Sequence, residues 1–365
     1  MKKTLLYIPV AILVAACSGT VDPENTENPD QEIPEEFTEP FTLSADKTEV
    51  EASGKDFVTF SLKDAYGREM LEDKNILQSI NIVSEEGVRV KRMDTKVGFI
   101  ANGTYNFTAS FKGKKSNSIE IVAKNRGTYE KYHKNVAIYK ATATWCGPCA
   151  NMTRALEGIN EDARNHSVEL CWHGQDDLAW IPEGWEYDCG TFIISYFGGQ
   201  GFPTVVFDLK ELTIENTSKA LEGIIWNIRA EHPATCGIKL STEYDSDAKV
   251  INAVAELTSS AGGKYDMGMA LLHNNQIVAS GTNEGGRYSH IVRAATGNFF
   301  MYSESLTKVE KEGKMIFSQR LPVGNYKLAD LSVVAFAIVP DGDRARMDNI
   351  VEVKAGETID YQLND

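Results

Sequence analysis

No apolar stretch inside the chain approaches the roughly 20 residues that a membrane-spanning helix needs, which argues against a polytopic membrane protein. Basic residues are few: 37 Lys and Arg stand against 52 Asp and Glu, a net charge of −15 near neutral pH. That deficit argues against a nucleic-acid binder, which needs clustered cations to displace counterions from phosphates. No Lys-Ser/Thr pair follows Gly262-Gly263 or Gly285-Gly286, so these are turn glycines and not a phosphate loop. His133, His166, His232 and His273 are scattered, with no nucleophile or metal spacing beside them, and Asp176-Asp177 and Asp341–Asp343 read as loop acids. No metal is assigned. What is present is globular composition, 42% hydrophobic and 24% charged. A length of 365 residues suggests two or three domains of about 100–150 residues.

The first segment concerns location. Lys2 and Lys3 precede the apolar stretch Thr4 to Ala16, the pattern of an export signal over residues 1–16. Val14-Ala15-Ala16-Cys17 resembles a lipobox, where the signal is cut before a cysteine that receives acyl chains. An ordinary secretory signal with a chance cysteine is the alternative. The resemblance implies that Cys17 is a lipidation site and that the membrane is a partner through this anchor. Residues 17–40 carry Asp22, Glu24, Glu27, Asp30, Glu32, Glu35, Glu36 and Glu39 and no Lys or Arg. Such a tract buries too little apolar surface to offset its ordering entropy and reads as a disordered stalk. Ser18 followed by acids resembles the export signal of surface-exposed lipoproteins in some Gram-negative anaerobes; a plain spacer is the alternative. The expected location is the cell envelope, as an outer-membrane lipoprotein that is periplasmic or surface-exposed.

Three blocks follow. In residues 41–125, Tyr105, Phe107, Ala109 and Phe111 alternate with polar residues, Ile119 and Ile121 open the next strand, and Phe57, Phe60 and Leu62 mark an earlier one. The block reads as an immunoglobulin-like β-sandwich. In residues 126–233 strands and helices alternate: Val136–Tyr139, a helix with Met152, Leu156 and Ile159 on one face, Val168–Trp172, Thr204–Phe207, and a closing helix with Leu221, Ile225 and Ile228 that Ser218 can cap. Residues 234–365 return to β. Ile251 to Leu257 and Tyr265 to Leu271 alternate, Asn274-Asn275 mark a hairpin turn into Gln276–Ser280, and Val333–Val339 suits a strand buried on both faces. A second β-sandwich is expected.

The chemistry lies in Cys146-Gly147-Pro148-Cys149, at a strand end and helix start. Unpaired amides at a helix N-terminus favour a thiolate on Cys146. Near pKa 8.5 a thiol is only about 3% ionised at pH 7, and near pKa 7 about half, a gain of more than tenfold. Cys146 would attack a substrate disulfide, and Cys149, one turn inward, would resolve the mixed disulfide. An inert disulfide staple is the bland alternative. A zinc site using Cys171 and His173 as further ligands is disfavoured.

Trp145-Cys-Gly-Pro-Cys149 is the thioredoxin signature, and residues 126–233 resemble a thioredoxin-fold domain, with Phe202-Pro203-Thr204 similar to that family's cis-proline loop. The resemblance implies a cis bond before Pro203 and a substrate groove formed by Trp145, Gly147, Pro148, Phe202 and Pro203. Three features depart from it. Lys140 stands six residues before Cys146, where thioredoxins keep a buried acid that accepts the proton of the second thiol; it must be neutral, snorkel or find an acidic partner. Trp172 to Gly201 is long and holds Trp172, Trp180, Trp185, Tyr187, Tyr196 and Phe197, rings placed to cover or shape the site. The chain after Phe207 leaves little room for another sheet strand. Separately, Tyr288-Ser-His290-Ile-Val-Arg-containing Gly286–Arg293 resembles the Tyr-x-His-x-x-x-Arg stretch of the Omp-twenty-eight-related outer-membrane lipoproteins, which join a thioredoxin-like to a β domain. A strand end with His290 and Arg293 exposed is its alternative.

Of the remaining cysteines, Cys171 with Cys189 or Cys189 with Cys236 would pair in an oxidising envelope, leaving one thiol over. The expected protein is multidomain α/β plus all-β, a central thioredoxin-like domain flanked by two immunoglobulin-like β-sandwiches. Its expected function is thiol–disulfide exchange on exported proteins, with no cofactor beyond the Cys146–Cys149 pair. The rival is a surface-anchored binding or assembly protein that uses the same fold as a scaffold.

Overall fold

A computed structural model describes residues 36–124, 131–278, 285–297, 299–300 and 306–364. Cys17, the export segment, most of the acidic stalk and Ser280 lie outside them.

The first block holds β1 (Thr42–Ala45), β2 (Glu49–Glu51), β3 (Phe57–Lys63), α1 (Lys74–Leu77), β4 (Asn81–Ser84), β5 (Lys96–Gly98), β6 (Gly103–Phe111) and β7 (Lys114–Lys124). They form two sheets, β1-β3-β5 and β2-β7-β6-β4. The period-2 pattern explains the pairing: Tyr105, Phe107, Ala109 and Phe111 all turn into one apolar core. Phe60 of one sheet meets Phe107 of the other with ring centroids 5.0 Å apart.

The second block holds β8 (Val136–Thr142), α2 (Cys149–Glu157), α3 (Glu161–Asn165), β9 (Ser167–His173), α4 (Cys189–Phe197), β10 (Thr204–Phe207), β11 (Glu211–Thr213) and α5 (Ser218–Glu231). β8 and β9 are parallel, β10 is antiparallel to β8, and β11 closes the edge in the order β11-β10-β8-β9. The short β11 supplies the strand for which the sequence left little room. Asp208 and Leu209, both at positive φ, turn the chain tightly enough to return it beside β10. Met152, Leu156 and Ile159 pack with Leu221, Ile225 and Ile228 over Val136, Ile138, Val205 and Phe207. The cap of α5 is Thr217, whose side chain accepts from the Ala220 amide. Ser218 is instead the first helical residue, and its hydroxyl donates to Ala155 O at 2.8 Å.

The last block holds β12 (Cys236–Asp245), β13 (Val250–Ser259), β14 (Gly263–His273), β15 (Gln276–Ile277), β16 (Arg287–Tyr288), β17 (Ile291–Gly297), β18 (Thr307–Val309), β19 (Lys314–Pro322), β20 (Leu331–Asp341), β21 (Arg344–Lys354) and β22 (Thr358–Ile359). The four-stranded sheet β19-β13-β12-β22 packs on β14, β20 and β21 through Ile251, Leu257, Met267, Leu271, Val333 and their neighbours. The expected β14–β15 hairpin does not form. Both edges of β14 are occupied by β17 and β20, so β15 pairs with β16.

One sheet crosses the boundary at residue 233. β17 lies parallel to β9 through Ile291 and Cys171, extending the order to β11-β10-β8-β9-β17-β14-β20-β21. The sheet then curls back on itself. Lys134, just before β8, donates its Nζ to Met347 O and Asp348 O of β21, and Asn135 Nδ2 donates to Ile350 O. The enclosed core mixes Tyr139, Leu170 and Trp172 with Leu272, Phe336, Met347 and Ile350. Residues Phe37–Asp365 thus form one compact unit.

The first sandwich is fastened to α5. Trp226 enters its core, donates Nε1 to Gly98 O at 2.9 Å and meets Tyr105 with centroids 5.6 Å apart. Near this joint His133 and His166 stack at 3.8 Å between ring centroids. Burial, the Arg229 guanidinium and the His133 ring push the His166 imidazole down to about 3. An unfolded chain takes up this proton near pH 6.5 while the folded one refuses it, so stability is highest above pH 6.5 and falls as the pH drops toward 3. The slope from His166 is about 1.4 kcal/mol per pH unit. Thermal unfolding from pH 7 to 4 should show a steeper fall for the wild type than for His166→Asn; parallel curves would refute this account.

Candidate functional site

β8 delivers the chain to the dithiol and α2 carries it away. The Cys146 amide donates to Ala143 O at 3.1 Å, and Cys146 and Cys149 are joined as a disulfide with Cα atoms 5.4 Å apart. At the start of α2 the Cys149 amide donates to Cys146 Sγ at 3.2 Å. That hydrogen bond and the positive end of the helix both favour negative charge on Cys146 after reduction.

Phe202 packs against Ala143, Cys146 and Cys149, and its peptide bond to Pro203 is cis. Trp145 meets the Phe202 ring edge-on at 5.5 Å and is held by its indole N–H donating to Gln175 O at 3.0 Å. Trp145, Gly147 and Pro148 are exposed, but Cys146 itself is only 3% accessible. The sulfur expected at an open helix tip is therefore covered in the disulfide form. Beside the cis-proline loop runs a groove of about 250 Å³ lined by Gly198, Gly201, Phe202, Pro203, Leu212 and Ile214. Trp145, Cys146, Cys149 and Phe202 are thus brought together, with Pro203 in the adjoining groove wall.

The aromatic segment plays another part than covering the dithiol. Trp172 is buried and stacks on Tyr139 at 5.6 Å and Phe299 at 5.5 Å; Trp180 and Trp185 also pack against Phe299. α4 approaches β9 closely, since a Cβ on Gly190 would lie 2.7 Å from Trp172 O. The rings build the shared core because Phe299 and Phe300, remote in sequence, complete their packing.

Lys140 is buried and forms an ion pair with Glu169 on the neighbouring strand. Its Nζ also donates to Thr153 Oγ1 of α2 at 3.4 Å, and the Cys171 thiol donates to Glu169 at 3.0 Å. Burial works against both charges, yet attraction wins: Glu169, facing Lys140 and His290, is lowered to about 2, and Lys140 is raised. The acidic partner comes from two residues before Cys171, on the same face of β9.

Cys171, Cys189 and Cys236 keep free thiols, which corrects both expected pairings. Cys189 shares a core with Leu170 and Trp172, whereas strand alternation turns Cys171 to the opposite face, and Cys236 lies in the core of the C-terminal sandwich. Burial raises all three thiols. Arg293 also differs from the expected exposed pair, while the His290 side chain is 36% exposed. Arg293 is half-buried, donating to Leu178 O at 2.9 Å and lying over the Tyr326 ring, and His290 O accepts from the Cys171 amide at 2.8 Å.

The sequence reading gave His173 and Asp176 no role in exchange. His173 Nδ1 donates to Asp176 Oδ2 at 2.8 Å, and the same oxygen accepts from the Thr144 amide at 2.7 Å, two residues before Cys146. The His-x-x-Asp spacing just after a strand was the available signal.

No family model matches the chain, and no curated protein matches it. Among solved structures it is similar to HBP35 of Porphyromonas gingivalis, with a TM-score of 0.52 and 18% identity over 61% of this chain and 76% of that one. A protein of Agrobacterium tumefaciens matches with a TM-score of 0.41 and 15% identity, over 62% of this chain and 97% of that one. At such identity the first likeness concerns fold alone. The class defined is a β-rich, multi-sheet fold with an α/β segment that carries a Cys-Gly-Pro-Cys disulfide.

Proposed function

We propose that this chain is a thiol–disulfide oxidoreductase of the cell envelope, built on a thioredoxin-like centre between two β-sandwiches, the first immunoglobulin-like. The observation that carries the reading is the Cys149 amide pointing at Cys146 Sγ from the first turn of α2, with a cis-proline loop packed beside the pair. The strand order β11-β10-β8-β9, with helices α2 and α5 on one face, supports the thioredoxin-like assignment. Reduced, Cys146 attacks a client disulfide and Cys149 then displaces the client thiol. The groove at Phe202 and Pro203 suits an extended client segment, with Trp145 edge-on to Phe202 and exposed Gly147 and Pro148 beside the dithiol as further client contacts. Exported proteins with thiols or disulfides are the clients, and acylation at Cys17 anchors the chain to the outer membrane. Kinship with the Omp-twenty-eight-related lipoproteins belongs to the same proposal.

A second reading, a scaffold that binds partners without chemistry, draws on the 3% accessibility of Cys146. The two separate by alkylation of the reduced protein across pH 4–9 together with insulin reduction. A Cys146 thiolate forming below about pH 7, with insulin reduced, is the expected result. Titration near pH 8.5 with no insulin reduction would leave the scaffold.

A further inference from the structure

Two buried polar atoms at the ends of β8 and β9 lack a hydrogen-bond partner among the described residues: Thr142 Oγ1 and His173 Nε2. Their residues are 0% and 1% accessible. They are register partners at the ends of β8 and β9, so both side chains leave the same face of the sheet. Leaving such atoms unsatisfied costs free energy, which makes two of them side by side a feature to explain.

Their position follows from the helix above. On that face Lys140 reaches Thr153 of α2. Since β8 and β9 are parallel, α2 runs back against them. Two residues forward along β8, from Lys140 to Thr142, advance about 6.6 Å. Four residues back along α2, from Thr153 to Cys149, cover about 6 Å on the same helix face. On these ideal rises the Thr142–His173 pair falls at the level of the turn that holds Cys149.

Asp176 fixes the proton of His173 on Nδ1, which leaves a lone pair on Nε2. We infer that His173 Nε2 is the internal proton acceptor for Cys149 during resolution of the mixed disulfide, held in place by Asp176. This rests on the proposed exchange activity. Once Cys146 is bonded to the client sulfur, the Cys149 S–H gives its proton to Nε2. The Cys149 thiolate then bonds to Cys146 Sγ as the Cys146–client S–S bond breaks. The electron pair leaves on the client thiolate, and the imidazolium later returns its proton to solvent. The protein dithiol is oxidised and the client disulfide reduced, with no other co-reactant.

The surroundings suit a base that is neutral at rest. Burial above all, then Lys140 from β8 and Arg293 from β17, holds the imidazole down, while Asp176 raises it. Glu169 and Cys171 share its strand, the Tyr288 ring meets it edge-on at 5.2 Å, and Asp176 ties it to the Thr144 amide two residues before Cys146. In the disulfide form His173 is thus uncharged and ready to accept.

The test uses the full exported chain. In the wild type, nitrogen-15 NMR of His173 should show its titration moving upward on reduction of the dithiol; a titration indifferent to redox state overturns the inference, whatever the activity. In stopped-flow reaction with a small aromatic disulfide, His173→Gln should slow release of the second thiol on the order of 100-fold at pH 7. The deficit should shrink as the pH approaches the ionisation of Cys149, and Cys146 alkylation at pH 6 should be unchanged. A loss equal at every pH, or none, would also overturn it. A wild-type protein that fails the first, Cys146-dependent step would instead count against the exchange activity itself.

Discussion

Cys149→Ser should trap the client as a covalent adduct, and Cys146→Ser should lower disulfide reduction to the uncatalysed rate. The asymmetry follows from the positions of the two sulfurs. Both sulfurs are covered in the disulfide, but Cys146 receives the Cys149 amide and sits beside exposed Trp145, Gly147 and Pro148, whereas Cys149 is the first residue of α2. Without Cys149, no other thiol among the described residues pairs with Cys146 to displace the client thiol, so the mixed disulfide persists. On non-reducing gels of envelope extracts, Cys149→Ser should give adducts that dithiothreitol removes. The double variant should give none. Adducts of equal amount from the double variant would mean that another thiol attacks, which the burial and raised pKa of Cys171, Cys189 and Cys236 argue against.

Glu169→Gln should destabilise the fold by about 3–5 kcal/mol, because it strands the Lys140 ammonium in the interior. Breaking such a pair exposes the full desolvation cost of the remaining ion, while replacing both partners with apolar residues removes that cost. Lys140→Met with Glu169→Leu should therefore recover most of the loss. Urea midpoints of the single and double variants decide the matter. A Glu169→Gln protein within about 0.5 kcal/mol of wild type would mean that Lys140 finds water or sheds its proton.

Local patterns in the sequence were legible, and partners between distant segments were not. Tyr105–Phe111 and Ile251–Leu257 show their strands because the alternation lies within each segment, and Val333–Val339 because its apolar run does. The dithiol motif carries its own strand-to-helix setting. By contrast, that Lys140 meets Glu169 depends on the parallel register of β8 and β9, which neither segment encodes alone. The cysteine pairings failed for the same reason: spacing says nothing about which face of β9 carries Cys171. The aromatics from Trp172 to Phe197 pointed to a cover for the site because Phe299 and Phe300, their true packing partners, are more than 100 positions away. Position 140 did mark a departure from the expected pattern, and the lysine there pairs with Glu169 in the interior.

The curled sheet limits how this chain can be dissected. Tyr139 and Trp172 are enclosed with Phe336 and Met347 in one core, so cutting after residue 233 would leave large aromatic faces wet. A recombinant fragment ending there should precipitate, and a useful minimal chain must retain the C-terminal strands. Gene-level shuffling of the Cys-Gly-Pro-Cys segment onto other carriers is accordingly constrained, since its hydrophobic wall is supplied from the far end of the same polypeptide.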